Sequence, residues 1–150
     1  MSAGVVVEAQ EGEGVTSPTP LGTLEDVVRF VLVEQKISSA EISITLLADQ
    51  EITRLNEQYL GHSGATDVIT FPLDSPTDRV VGDIYIGVEQ AARQAEELAL
   101  SVEDELLRLS VHGTLHVLGF EHPEDDQRES SPMYHRQEEL LLHFQQRMIS

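Results

Sequence analysis

The sequence predicts an α+β fold, a single mixed sheet covered by helices, with its candidate site on a C-terminal helix and the turn after it. Three observations carry this. Alternating apolar and polar residues mark short strands, apolar residues at 3 and 4 spacing mark amphipathic helices, and the two kinds of segment follow one another without strict βαβ alternation. A chain of 150 residues with 40% hydrophobic content is long enough for one domain with a real core and too short for two ordinary ones. One domain over 1–150 is therefore expected.

The β-branched triplet Val5, Val6, Val7 predicts a first strand, and the Gly- and Pro-containing EGEGVTSPTP after it predicts a flexible linker reaching residue 20. From Leu21 to Lys36 the residues Leu24, Val27, Val28, Val31 and Leu32 recur at helical spacing, with Thr23 as the expected N-cap. Glu41 to Leu47 alternates Ile42, Ile44 and Leu46 with Ser43 and Thr45, the period of a half-buried strand. Asp49 is expected to cap a short helix carrying Ile52, Leu55, Asn56 and Tyr59. LGHSGAT reads as a loop, DVITFP as a strand ended by Pro72, LDSPTD as a second loop and VVGDIYIG as another strand. Helical patterns follow in EQAARQAEELAL and SVEDELLRLSVHGTLHVLG. Ser101 suits the N-cap of the second, and Glu103 and Asp104 suit the positive end of its dipole. A last helix is expected from about Ser131 to Arg147.

Composition excludes several classes of function. The chain has no cysteine, so there is no disulfide framework, and zinc ligands must be His, Asp or Glu. Its apolar runs fall far short of the roughly 20 residues of a membrane span. The start MSAGVVVEAQEGEG lacks the basic and apolar regions of a signal peptide. No membrane association is expected, and the expected location is the cytoplasm. The 27 acidic residues outnumber 9 basic ones, for a formal net charge of −18, and Lys36 is the single lysine. Such a surface repels phosphate backbones and itself. An arginine-dominated, acidic composition suits a salt-rich cytoplasm, where the screening length falls to about 3 Å at 1 M salt.

The chemistry lies in HGTLHVLGFEH. Helical positions four apart sit about 40° apart around the axis, so His112 and His116 project from one face and can share an ion. Gly119 falls where a helix ends in a left-handed residue, and after the reversal His122 can swing back as a third ligand. Pro123 is expected to stiffen the exit from the site. Three nitrogen ligands and an open position are the usual arrangement of catalytic zinc, whose bound water has a pKa near 7. One Zn2+ per chain is expected. The H-x3-H-x2-G-x2-H spacing is also the ligand frame of metzincin proteases. Those carry glutamate directly after the first histidine, where this chain has Gly113, so the peptidase base is missing. Glu121, beside the third ligand, and Asp83, in the GDI strand, are the candidate replacements. His62, His135 and His143 lack such partners and are expected at the surface or in packing.

HGTLHVLGFEH, together with TDVITFP and VGDIYIG, resembles the YbeY family of bacterial endoribonucleases, in matching order from about Glu41 to Leu142. The resemblance implies a zinc-dependent, single-strand-specific endoribonuclease. It implies a role in 3′-end maturation of small-subunit (16S) ribosomal RNA and in ribosome quality control, with His112, His116 and His122 as zinc ligands. Implied partners are single-stranded rRNA and the small ribosomal subunit or its proteins. Family members commonly carry arginine after the tyrosine of the loop before TDV, where Tyr59 is here followed by Leu60. Arg54 and Arg79 are the candidate substitutes in substrate binding. Glu121 stands where the family usually has aspartate, and Ala65 replaces a common proline. Two other functions compete: a zinc peptidase, and a non-catalytic ribosome-assembly factor with structural zinc.

The charge makes a direct prediction. Thermal melts at rising KCl should show a melting temperature that climbs up to about 1 M, as the net negative charge is screened. A flat or falling series would deny the acidity any halophilic role.

Overall fold

The computed structural model describes residues 4–122 and 127–149. Its elements are β1 (Val5–Glu11), α1 (Leu21–Glu34), β2 (Ala40–Leu47), α2 (Asp49–Leu60), β3 (Val68–Leu73), β4 (Val80–Gly87), α3 (Val88–Leu98), α4 (Val102–Val117), a 3-10 turn (Arg128–Ser130) and α5 (Pro132–Ile149). The strands form one mixed sheet in the order β1-β2-β4-β3, in which β1, β2 and β4 are parallel and β3 is an antiparallel edge. This is the α+β class that the two periodicities predict.

Side-chain alternation divides the molecule into layers. Ile42, Ile44 and Leu46 of β2, with Ile84 and Ile86 of β4, turn to the face that carries α1, α4 and α5 and join them in the main core. Leu47 and Ile69 turn the other way and pack with Ile52 of α2 in a smaller cluster, extended by Leu55, Phe71 and Tyr85. All five apolar residues expected on the buried face of α1 are 0% exposed. Each such burial is worth roughly 1.5–3 kcal/mol.

Helix α4 is the central element. It packs against α1, α3, α5, β3 and β4, and 11 of its 16 residues are buried. Its buried hydroxyls are satisfied internally: Ser110 Oγ donates to the Leu106 carbonyl at 2.9 Å and Thr114 Oγ1 to the Ser110 carbonyl at 2.7 Å. The helix lies close on β4 because two glycines face each other's element. A Cβ on Gly82 would stand 2.6 Å from Val117 Cγ1, and one on Gly113 would stand 2.8 Å from Ile84 Cγ2.

Several helix and strand ends differ from the sequence expectations. Thr23 lies inside α1, because the extended Pro20 is its N-cap and the Thr23 N–H donates to the Pro20 carbonyl at 3.0 Å. Asp49 is the first residue of α2 rather than its cap; Glu89 Oε1 accepts its N–H at 2.7 Å, and its carboxylate pairs with Arg93 at 3.0 Å. Pro72 does not end β3, which continues to Leu73; an edge strand tolerates the missing donor. The first strand extends beyond its valines to Glu11. Ser101 is the N-cap expected of it, accepting the Asp104 N–H at 3.0 Å.

Substituting Gly82→Ala should destabilise the fold by about 1–3 kcal/mol, since Val117 must move and carries the helix with it. Gly22→Ala, in the first turn of α1 with nothing within 4 Å, should instead be neutral or stabilising. Denaturant midpoints of the two variants check this, and a Gly82→Ala midpoint at or above wild type would refute the close-approach account.

Candidate metal centre

Two local devices bring the histidines together. His112 and His116 lie one turn apart on α4, with ring centroids 4.6 Å apart. The helix then closes through Gly119 at φ 102°, whose N–H donates to the His116 carbonyl at 3.0 Å, while the Phe120 N–H donates to the Leu115 carbonyl at 3.0 Å. This paired closure uses the left-handed residue as its pivot. It returns the chain so that the His122 ring lies 5.0 Å from each of the other two. One ring nitrogen from each histidine lies within 4.8 Å of the others, an arrangement that can hold a metal ion. Pro123 lies outside the described residues.

Hydrogen bonds fix which nitrogen His112 and His116 present. The Phe120 carbonyl accepts from His116 Nδ1 at 3.0 Å, which leaves Nε2 for an ion. His112 Nδ1 stands 2.7 Å from Gln137 Oε1 of α5, and Gln137 cannot flip without losing the bond its Nε2 donates to Glu138 Oε2 at 2.9 Å. His112 Nδ1 is therefore the donor. Glu138 in turn accepts from Arg108 Nε and Nη2 at 2.9 and 3.2 Å, Arg108 Nη1 donates to Glu105 Oε1 at 3.0 Å, and Gln94 Nε2 donates to Glu105 Oε2 at 2.8 Å. The chain of bonds thus runs from α3 through α4 and α5 to the first histidine. Such support orients metal-binding imidazoles.

Burial, with the neighbouring histidines and Arg128 adding to it, lowers the His112 pKa to about 4 against the opposing bond to Gln137. His116 is lowered too, chiefly by burial and then by His122, while Glu121 pulls the other way. Both rings are consequently neutral at pH 7, the form that ligates metal. Beside them opens a cavity of about 520 Å3, with Asp67, Gln94, Glu105, His112, His122 and Arg128 on its walls.

The other candidates fall in different places. Glu121 is exposed beside His122, close enough for its charge to act on His116. Asp83 lies across the sheet. Its neighbours Gly82 and Ile84 face α4, so Asp83 projects to the opposite side, where it accepts from Ser43 Oγ at 2.6 Å. Arg54 is exposed on α2 and pairs with Glu51 at 3.2 Å. Arg79 donates to the Gly4 carbonyl at 2.8 Å and to Ser39 Oγ at 3.1 Å, tying together the starts of the parallel strands. The structure brings neither arginine to the histidines. His62, His135 and His143 are exposed. Gln137, Glu138, Glu105, Arg108 and Arg128 went unread in the sequence. A signal existed for some: Glu105, Arg108, His112 and His116 form a polar stripe at helical spacing on an otherwise apolar helix.

Gly113 explains the missing peptidase glutamate. Its α-carbon faces Ile84 and Thr70 of the sheet, so a longer side chain there would be driven into the core and away from the cavity.

A family model described as Endoribonuclease YbeY matches residues 7–145. The chain belongs to the endoribonuclease YbeY family. Among YbeY relatives, the protein of Persephonella marina is 37% identical over 122 residues, covering 79% of each chain. That of Syntrophus aciditrophicus is 41% identical over 127 residues, covering 80% of this chain and 77% of its own. The Bacillus subtilis YbeY is 31% identical over 149 residues, covering 91% and 94%. A solution structure of a Thermotoga maritima protein superposes with a TM-score of 0.61 at 28% identity, covering 93% of this chain and 88% of that one.

The lowered His112 pKa has a signed consequence for the metal-free chain. Unfolded, His112 takes up a proton near pH 6.5; folded, it does so only near 4. Its contribution to stability is therefore complete above pH 6.5 and lost as pH falls toward 4. Urea midpoints of metal-free wild type and His112→Asn should diverge across that window, wild type falling more steeply. Parallel curves would place the His112 pKa at its ordinary value.

Proposed function

We propose that this chain is a zinc-dependent endoribonuclease that cuts single-stranded RNA. Its proposed substrate is the 3′ end of 16S ribosomal RNA, met in the cytoplasm on small-subunit particles. One observation carries the reading: in a member of an endoribonuclease family, three imidazoles converge on a point beside an open cavity. Imidazole nitrogens in this number suit zinc. When bound, zinc supplies Lewis acidity toward a phosphoryl oxygen and acidifies water toward neutral pH.

In this reading His112, His116 and His122 are the ligands. Gln137 and the Phe120 carbonyl keep the first two turned toward the ion. Glu121, at the solvent edge beside the third ligand, is the carboxylate placed to carry a proton to or from the reacting oxygens. Asp83 has no part, being across the sheet. The cavity lies within the roughly 300–1,000 Å3 range of sites that enclose small ligands, enough for a nucleotide of a strand.

The competing functions are not favoured. A peptidase of the metzincin type needs its base at position 113, which faces the sheet. A purely structural zinc needs a fourth protein ligand, and among the described residues no further His, Asp or Glu joins the cluster.

Elemental analysis of the purified chain should give about one zinc per molecule, and His116→Ala should retain none. Gln137→Leu should weaken metal binding by roughly 10–100-fold. The zinc-loaded wild type should cut a single-stranded 16S fragment, spare a duplex of the same sequence and leave casein intact. Cleavage undiminished in His116→Ala would show that the activity comes from elsewhere.

A further inference from the structure

Two cations line the cavity beside the histidines, Arg108 and Arg128. Their situations differ. Arg108 is held by Glu138 at 2.9 Å and Glu105 at 3.0 Å, so its charge is already matched. Arg128 is exposed, and among the described residues its guanidinium makes no salt bridge. Its backbone is nonetheless fixed. Ser131 Oγ donates to the Arg128 carbonyl at 2.7 Å and accepts the Tyr134 N–H at 3.2 Å, which ties the residue to the first turn of α5. Met133, Tyr134 and Gln137 of that helix line the same cavity. Among the described residues Arg128 is thus a cation without a carboxylate partner, mounted on a braced turn, with a charge felt at both His112 and His116.

Its surroundings sharpen the point. Asp67, Glu105 and Glu129 also line the cavity, and the whole chain is strongly anionic. A phosphodiester approaching the histidines meets repulsion nearly everywhere and needs a fixed positive partner. A guanidinium supplies one with two parallel donors matched to two phosphate oxygens.

We propose that Arg128 is the phosphate grip of this site: its guanidinium, on the wall shared with His112 and His122, takes a backbone phosphate of the RNA and holds it at the histidines. The inference rests on the RNA-cutting reading above and names the substrate contact within it. Neither Arg54, exposed and paired with Glu51, nor Arg79, bonded to Gly4 and Ser39, lines the cavity.

The test compares zinc-loaded wild type, Arg128→Ala, Arg128→Lys and, as a control remote from the site, Arg29→Ala. Two probes are used: a single-stranded RNA across a KCl series, and inorganic phosphate by calorimetry. Arg128→Ala should raise KM roughly 10-fold, the loss of one charge-assisted contact. The slope of log KM against log salt should fall by about 0.7, the counterion share of one phosphate on a single strand. Arg128→Lys should keep that slope while recovering KM only in part, because a point charge replaces a fork. Phosphate binding should weaken in Arg128→Ala, with zinc content and melting temperature unchanged; Arg29→Ala should behave as wild type. If wild type cuts RNA and Arg128→Ala matches it in KM, salt slope and phosphate affinity, the grip is overturned and the nuclease reading stands. If wild type cuts no RNA but binds phosphate through Arg128, the nuclease reading falls and the anion grip remains. If neither RNA cleavage nor Arg128-dependent phosphate binding is found, both fall.

Discussion

The close seat of α4 on β4 is the constraint on which the rest of the molecule depends. Gly82 and Gly113 remove the two β-carbons that would hold helix and strand apart, and Val117 and Ile84 fill the space. That contact fixes the rotation of α4 about its own axis. Once Gly113 is turned to the sheet, His112 and His116 must lie on another face, toward the cavity bounded by α3 and α5. The same rotation forbids a side chain at 113, so the glycine that separates this site from the metzincin pattern follows from packing as much as from chemistry.

The polar chain from Gln94 to His112 deals with a problem that this burial creates. A helix enclosed on most sides leaves Glu105 buried, and its charge is matched by Arg108 at the cavity wall, which also meets Glu138. Buried polar groups of this kind are costly unless every member is matched. Here each bond is made, and the network ends on the imidazole whose orientation matters most. The main core and the histidine cluster are therefore mechanically connected, with α5 serving as the bracket for both the His112 ring and the turn that bears Arg128.

Much of the fold was legible because its elements carry clear periods: the α1 face, the alternation of β2 and the Ser101 cap all stand as their spacing implies. The histidine cluster was legible for a related reason, since all three histidines lie within one short stretch whose geometry is set by helix rise and a glycine turn. What escaped was long-range. No local pattern says that Gln137 meets His112 across 25 residues or that Glu89 caps α2 across 40. Asp83 looked like a candidate by its motif, and only the pleat, with Gly82 and Ile84 facing α4, reveals that it looks the other way. Arg79 was a candidate substitute for the arginine replaced by Leu60; its partners are the Gly4 carbonyl, Ser39 Oγ and the Glu41 carboxylate at the strand starts, which sequence spacing cannot show.

The turn at Gly119 binds several duties into one hinge. The pivot that ends α4 also presents the Phe120 carbonyl to His116 and sends His122 back toward its partners. Unwinding the last residues of the helix would at once release the tautomer of one histidine and withdraw another. Damage to this one corner therefore disturbs two of the three histidines together, and the helix end behaves as a fuse for the cluster it supports.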